Sequence, residues 1–348
     1  MDTYFILRFD ISVYYNFPHI TCVMGNTNLN KTFAVDEENI ICFIEYLSQC
    51  RSKEDILEWA SKNTIGTDII EIVDILVSNE IVISGIEPLI DIDESNRFYS
   101  YIMTKSQSIQ QFNNAIVNIR KSKIGIVGVG GIGSRVAHEL AALGINSFSL
   151  VDADIIESHN LQHQISYRKH SIGLSKAEEL SKLLTEEYDA KVYSVKELIK
   201  GQMSKTTKKS LVNCDLVIVC ADEPSVDVVA DTMTPFFEEN SIPHIVGGGY
   251  HSHYTNTGIT IVPGKTMGWR DMNSLKKNGT TNLIGNQRIE GITGSYNPLA
   301  TILSGLIVNE AISVITELWS PNFSGKMGDF NIEDVSFTWR YGFSKSLR

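Results

Sequence analysis

Apolar positions in the first ninety residues follow two different periods. Residues 4–15 and 31–35 are strand-like, whereas 38–50, 52–62 and 67–80 carry apolar side chains at helical spacing. Ser52 followed by Asp55 has the form of a capping box, with Asp in place of Glu or Gln, and Ile56, Trp59 and Ala60 then share one face. A short strand at 81–84 closes the segment. Strands, three helices and a terminal strand predict a small α+β, winged-helix-like domain over residues 1–90.

Residues 85–122 form a polar, mostly helical connection, with Asp91, Asp93, Glu94 and Ser95 marking the boundary. From Lys123 onward, strands and amphipathic helices alternate. Strands are expected at 123–129, 148–151, 216–220 and 244–246, and helices at 132–143, 175–188 and 225–239, the first closed by Gly144. This βαβ order predicts an α/β fold over residues 91–348, with a doubly wound, largely parallel Rossmann-like sheet. The apolar stretch from Leu299 to Trp319 reads as one buried helix opened by Asn297-Pro298, with Glu310 and Glu317 interrupting what would otherwise approach a membrane span.

Charge changes the picture of the first domain. Residues 1–100 hold 6 Lys and Arg against 17 Asp and Glu, a balance of −11 that equals the net charge of the whole chain. Winged-helix modules commonly bind DNA, but an acidic one repels nucleic acid and attracts basic partners. The acidic start lacks the character of a signal peptide, so a cytoplasmic location without membrane attachment is expected. The five cysteines contain no C-x-x-C pair, which argues against a zinc knuckle.

Candidate chemistry begins at Gly128-Val129-Gly130-Gly131-Ile132-Gly133, between a predicted strand and a predicted helix. Glycines there let the backbone approach a phosphate, and the helix N-terminus supplies free N–H groups. Asp152 ends the next strand, where a carboxylate can accept bonds from ribose hydroxyls. Taken alone, these two features favour NAD. The segment that follows favours ATP: Asp154, then Asn160-Leu161-Gln162-His163-Gln164, then Lys176 at a helix start, and Asp222 at the carboxyl end of a strand, placed to hold Mg²⁺.

The succession G-x-G-G-x-G, L-x-D-x-D, N-x-x-x-Q, G-x-x-K and C-x-D resembles the adenylating family of ThiF, MoeB, MccB and the ubiquitin-activating enzymes, over about residues 95–315. The resemblance implies a homodimer with ATP at the turn of Gly128, Gly130, Gly131 and Gly133, the Asp152/Asp154 pair beside it, and ribose on Asp152. It further implies phosphate contacts from Asn160, Gln164 and Lys176, and Mg²⁺ at Asp222. Val262-Pro263-Gly264-Lys265 is similar to a segment of MccB-type enzymes, which carry a small N-terminal peptide clamp. Together with the absent zinc cysteines, this implies maturation of a ribosomally made precursor peptide, its leader held by the first domain. The chemistry implied is activation of a Glu or Asp side chain and dehydrative cyclisation, as for pantocin A.

The chain also departs from the family. His163 replaces an arginine of N-x-x-R-Q, and Asn96-Arg97-Phe98-Tyr99-Ser100 keeps only the first arginine of R-Y-x-R. Arg135 is the candidate to compensate. Lys176, Asp222, Asn160 and His163 are the expected catalytic set. The pair His251 and His253 would share a strand face, but no third metal ligand is evident, and a hydrogen-bonded role is favoured. Gly247-Gly248-Gly249-Tyr250 and residues 291–298 are candidate walls of a substrate pocket. An NAD-dependent oxidoreductase or a non-catalytic peptide-binding protein are the alternatives.

Overall fold

The computed structural model describes residues 2–25, 30–36, 38–63, 68–93, 96–272 and 296–342. The chain divides into two compact units, Met1–Val117 and Asn118–Arg348.

The first unit contains β1 (Tyr4–Leu7), β2 (Ile11–Asn16), β3 (His19–Met24), β4 (Asn30–Ala34), α1 (Ile40–Tyr46), β5 (Arg51–Ser52), α2 (Lys53–Asn63), α3 (Ile69–Ser78), β6 (Val82–Gly85), α4 (Arg97–Lys105) and the start of α5 (Ile109–Lys121). Two small antiparallel sheets result, ordered β5-β1-β6 and β2-β3-β4. Phe43, Leu47, Ile56 and Val73 of the helical layer are fully buried with Cys22 of β3. The expected capping box opens α2: Asp55 accepts from the Ser52 amide at 2.9 Å, and its own amide donates to Ser52 Oγ at 3.1 Å.

Residues 4–15 make two strands rather than one. The chain turns at Arg8, whose buried guanidinium donates to the carbonyls of Met103 at 2.9 Å and Ser106 at 3.3 Å, at the end of α4. Those bonds also tie α4 into the first compact unit, which therefore extends past the boundary expected at residue 90. β3 has no counterpart in the sequence expectation, although Ile20, Cys22 and Met24 alternate inward along it.

The second unit is built on β7 (Lys123–Val127), α6 (Gly133–Ala142), β8 (Ser147–Val151), α7 (Lys176–Tyr188), β9 (Lys191–Val195), α8 (Lys205–Leu211), β10 (Leu216–Val219), α9 (Val226–Glu239) and β11 (His244–Val246). β12 (Tyr250–His251), β13 (Tyr254–Asn256), β14 (Ile259–Ile261), α10 (Asn297–Thr316), β15 (Lys326–Asn331) and β16 (Ser336–Gly342) follow. The central sheet runs β14-β11-β10-β7-β8-β9, parallel except for β14, so it is doubly wound as the alternation predicts. Successive strands go outward from β7 in one direction and then, from β10, in the other. The crevice at the carboxyl ends of β7 and β10 is consequently the topological switch point, where open α/β sheets bind ligands. A second, antiparallel sheet is ordered β12-β13-β15-β16.

Helix α10 is apolar enough and long enough to cross a membrane by composition, but two-thirds of it is buried here, against α6 and β10 to β13. Its Glu310 is buried as well and serves the fold, accepting from Thr260 Oγ1 at 2.7 Å and from the amides of Asn322 and Phe323.

Candidate active site

A cavity of about 560 Å³ opens at the switch point. Its wall brings together Gly128, Gly130, Gly131, Asp152, Asp154, Asn160, His163, Gln164, Lys176 and Asp222, which are spread over ninety-five residues of sequence. Gly133 is the one glycine of the turn outside this wall.

The glycines have unequal tasks. Gly128 has φ of +82°, and a Cβ there would lie 2.4 Å from the Ala221 amide nitrogen, so the ends of β7 and β10 meet only because the side chain is missing. A Cβ on Gly133 would lie 2.0 Å from the Gly128 carbonyl oxygen, which fixes the entry of α6 against the turn. At Gly130 the nearest atom would be Gln164 Nε2 at 3.7 Å, an ordinary contact. Gly130 thus leaves room on the cavity side that the fold itself does not need.

Asp152 holds the turn in shape. One carboxylate oxygen accepts from the Val129 amide and the other from the Asp154 amide, both at 2.7 Å. Burial raises its pKa, and these two amides oppose that rise by favouring the anion. Each oxygen keeps a lone pair for a ribose hydroxyl. Asp154 also receives Lys176 Nζ at 2.9 Å, with the Lys176 side chain 7% exposed and that of Asp154 50% exposed. An ammonium at the first position of α7 opposes the helix dipole. The ion pair offsets that cost, and an ammonium with three donors has others for a phosphate.

Asn160 and Glu157 close a reciprocal capping box, with the Glu157 amide donating to Asn160 Oδ1 at 2.9 Å. His163 follows, and its Nε2 lies 3.3 Å from Gln164 Nε2. Burial lowers the His163 pKa, and the nearby His159, Lys176 and Arg135 add to that shift, so the imidazole is neutral where the family has arginine. His163 Nδ1 and Gln164 Oε1 are buried with no hydrogen-bond partner among the described residues. Two such groups in one cavity wall are what a polar ligand would satisfy.

Asp222 is exposed at the mouth, and Ser225, not Asp222, caps α9, accepting from the Val228 amide at 3.3 Å. Asp222 therefore has no capping duty. Among the described residues no group of three His, Cys, Asp or Glu side chains is placed to hold a metal ion. A magnesium ion bound with phosphates requires only one or two carboxylates, so Asp222 at the cavity mouth suits that role. Cys220, partly buried two residues before it, has its thiol pushed up to about 12 by desolvation and by the Asp222 charge, which makes it a poor nucleophile at neutral pH.

Arg135 does not stand in for the missing arginines. Its guanidinium donates to the carbonyls of Gly131 and His163 and to Asn297 Oδ1, linking the turn, the 158–164 segment and the start of α10. Lys265 pairs with Glu317 at 3.1 Å on the surface and does not line the cavity. His251 ends β12 and His253 lies in the turn before β13, with Ser252 at φ of +53°, so the two are not alternate positions of one strand. Of residues 291–298, those before Tyr296 lie outside the described residues.

Tyr167 was missed by sequence reasoning. Its buried hydroxyl donates to the Val129 carbonyl at 2.6 Å, bracing the glycine turn from below. It lies three residues after Gln164 in no recognisable pattern.

A glycine turn at the switch point of a doubly wound sheet, with a carboxylate ending the adjacent strand, defines a Rossmann-like nucleotide-binding protein. Residues 106–341 match the ThiF family, and the chain belongs to that family. The adenylyltransferase and sulfurtransferase MOCS3 of Dictyostelium discoideum is 36% identical over 112 residues, which are 30% of this chain and 24% of that protein. The chain thus spans about a quarter of the length of that relative. Among solved structures, E. coli MccB with AMPCPP and selenomethionine MccA has a TM-score of 0.69 at 21% identity, covering 99% of this chain and 98% of its own. PaaA has a TM-score of 0.67 at 16% identity, covering 95% of this chain and 98% of its own. At these identities the likeness is one of fold.

Proposed function

We propose that the chain uses ATP and Mg²⁺ to adenylate a carboxylate of a ribosomally made precursor peptide, and that a nitrogen of the peptide then captures the activated group. The observation that carries this reading is the convergence of the glycine turn, Asp152, Lys176 and Asp222 on one cavity. The structure of MccB with AMPCPP and MccA supports it by analogy of fold.

In this mechanism the Gly130 and Gly131 backbone lies along the phosphates while Asp152 orients the ribose. A carboxylate oxygen of the peptide attacks the α-phosphorus and pyrophosphate leaves. Lys176 offsets the charge that gathers on the phosphate oxygens. Asp222 would hold Mg²⁺, which would offset phosphate charge when bound. Gln164 and Asn160 position the nucleotide by their amides. The neutral His163 has its free Nδ1 available for a hydrogen bond in the wall. The nitrogen next attacks the acyl carbon, the carboxylate oxygen departs on AMP, and the nitrogen's proton passes to solvent. One water is lost from the peptide for each ring closed.

The first unit offers a leader-binding surface. Among the described residues β4 is an edge strand of its sheet, paired only with β3. Beside it runs a groove of about 220 Å³ lined by Ile20, Phe33, Ile40, Ile72 and Ile75, with Asp36 and Glu71 among its walls. An extended basic or amphipathic leader would add to the β4 edge and place apolar side chains in the groove. Homodimerisation also belongs to this proposal.

The test is incubation with ATP, Mg²⁺ and synthetic peptides that carry a basic leader ahead of Glu or Asp, followed by peptide mass and nucleotide analysis. Loss of one or two waters with release of AMP and pyrophosphate is expected. Peptide binding without nucleotide turnover would leave a binding protein on this scaffold and overturn the proposal.

A further inference from the structure

A second cavity, of about 300 Å³, lies in the same unit, and Tyr250 is in the wall of both. A Cβ on Gly131 would stand 3.5 Å from the Tyr250 hydroxyl, so this phenol rests against the glycine turn where the two spaces meet. The polar side chains around the second cavity are engaged by the fold. Ser225 Oγ accepts from the Val228 amide at 3.3 Å. Asn256 donates to Asp329 at 3.3 Å and accepts from the Gly258 amide at 3.0 Å. Asp227 has a partner as well. What the wall offers an occupant is apolar surface: Val226, Val246, Met327 of β15, and the rings of Tyr254 and Trp269. Val226, Val246 and Trp269 belong to one apolar cluster, and the indole is fixed by Nε1 donating to Asp231 at 2.7 Å. Gly249 also lines the cavity, and a Cβ there would meet nothing within 4 Å, so the missing side chain keeps space open that packing does not require.

We infer that this second cavity seats an aromatic side chain of the substrate peptide, from a residue close in sequence to the carboxylate that is adenylated. The assignment rests on the adenylation reading above and adds a substrate class to it. Polar groups committed to the fold have little to give an incoming ion, which would lose its water without gaining a partner. An aromatic ring instead removes apolar area from water, and the rings of Tyr254 and Trp269 and the Met327 sulfur give it further contacts. Because Tyr250 borders both spaces, a residue anchored here brings its chain neighbour to the glycine turn.

The test uses the full chain labelled with fluorotryptophan, with the Trp269 resonance assigned through Trp269→Phe. The probes are the blocked amides of phenylalanine, lysine and glutamate. Saturable displacement of the Trp269 resonance by the phenylalanine probe is expected, with the other two at least about tenfold weaker. Gly249→Leu fills the cavity and should abolish that response, while the other tryptophan resonances stay in place and AMPCPP affinity stays within about twofold, as expected of separate sites. Met327→Gln keeps the length of the side chain and should weaken the phenylalanine probe at least about threefold. No saturable response to the phenylalanine probe, a charged probe that binds as well, or an unaltered response in both variants overturns the assignment. Failure of the unmodified chain to bind AMPCPP would instead sink the adenylation reading, and the probe comparison would still decide what the second cavity prefers.

Discussion

The groove of the first unit and the nucleotide cavity of the second are both concave, but they are made of different materials. The groove is walled by isoleucines and a phenylalanine, with acids among them. The cavity is walled by main chain and by polar side chains already bonded to one another, as in the Asp152 amide pair and the Asp154–Lys176 ion pair. Apolar walls exchange similar side chains at little cost, so such a surface adapts to its occupant and leaves no fixed motif. A cavity built from backbone geometry has no such freedom. On the proposed function, nucleotide chemistry would depend on a few exact positions and peptide choice on many replaceable ones.

The largest expected effect tests the exactness of the cavity. Lys176→Ala removes its buried ammonium, and pyrophosphate release with ATP and peptide should fall by about 10² to 10³-fold. Retention of most activity would show that the cavity tolerates change as the groove does.

A second experiment separates the units by pH. His244 on β11 is fully buried, and burial pushes its pKa down to about 4 from 6.5. The unfolded chain therefore takes up the proton first as pH falls. The contribution is intact above the unfolded value and is lost between about pH 6.5 and 4, to the extent of about 3 kcal/mol. Urea unfolding followed at neutral and mildly acidic pH should show the second unit weakening, and His244→Phe should flatten that dependence. An unchanged slope in the variant would remove His244 as the cause.

The smallest effect tests the adaptability of the groove. Ile75→Arg, at a position 42% exposed on α3, should weaken leader binding by about tenfold, roughly 1.4 kcal/mol. Binding to the unaltered chain should also weaken as salt rises, since the first hundred residues carry a balance of −11. Affinity insensitive to salt in titration calorimetry would remove charge from the account of leader choice and leave only shape.

The same division explains what was legible in the sequence. The turn, Asp152, Lys176 and Asp222 could be read because each sits at the end of a strongly patterned strand or helix, and strand order carries them to one place. The functions of Tyr167 and Arg135 could not. Tyr167 acts through one hydroxyl on a carbonyl thirty-eight residues away, and Arg135 through Asn297, 162 residues away. No local period records such partners. In the first unit the helices and their capping box were visible, while β3 was not, because its alternation spans only six residues. The break at Arg8 was hidden for a similar reason: a buried arginine looks like any surface cation until the carbonyls it serves are known.

The glycine bend also keeps two separate records. Positions 128 and 133 answer to sterics alone, so any descendant that still folds must retain them. Position 130 has room for a methyl group beside the Gln164 amide, so the packing of the turn does not require glycine there. Gly130→Ala should therefore leave folding intact and act only on what binds in the cavity, which sets it apart from the same change at position 128 or 133.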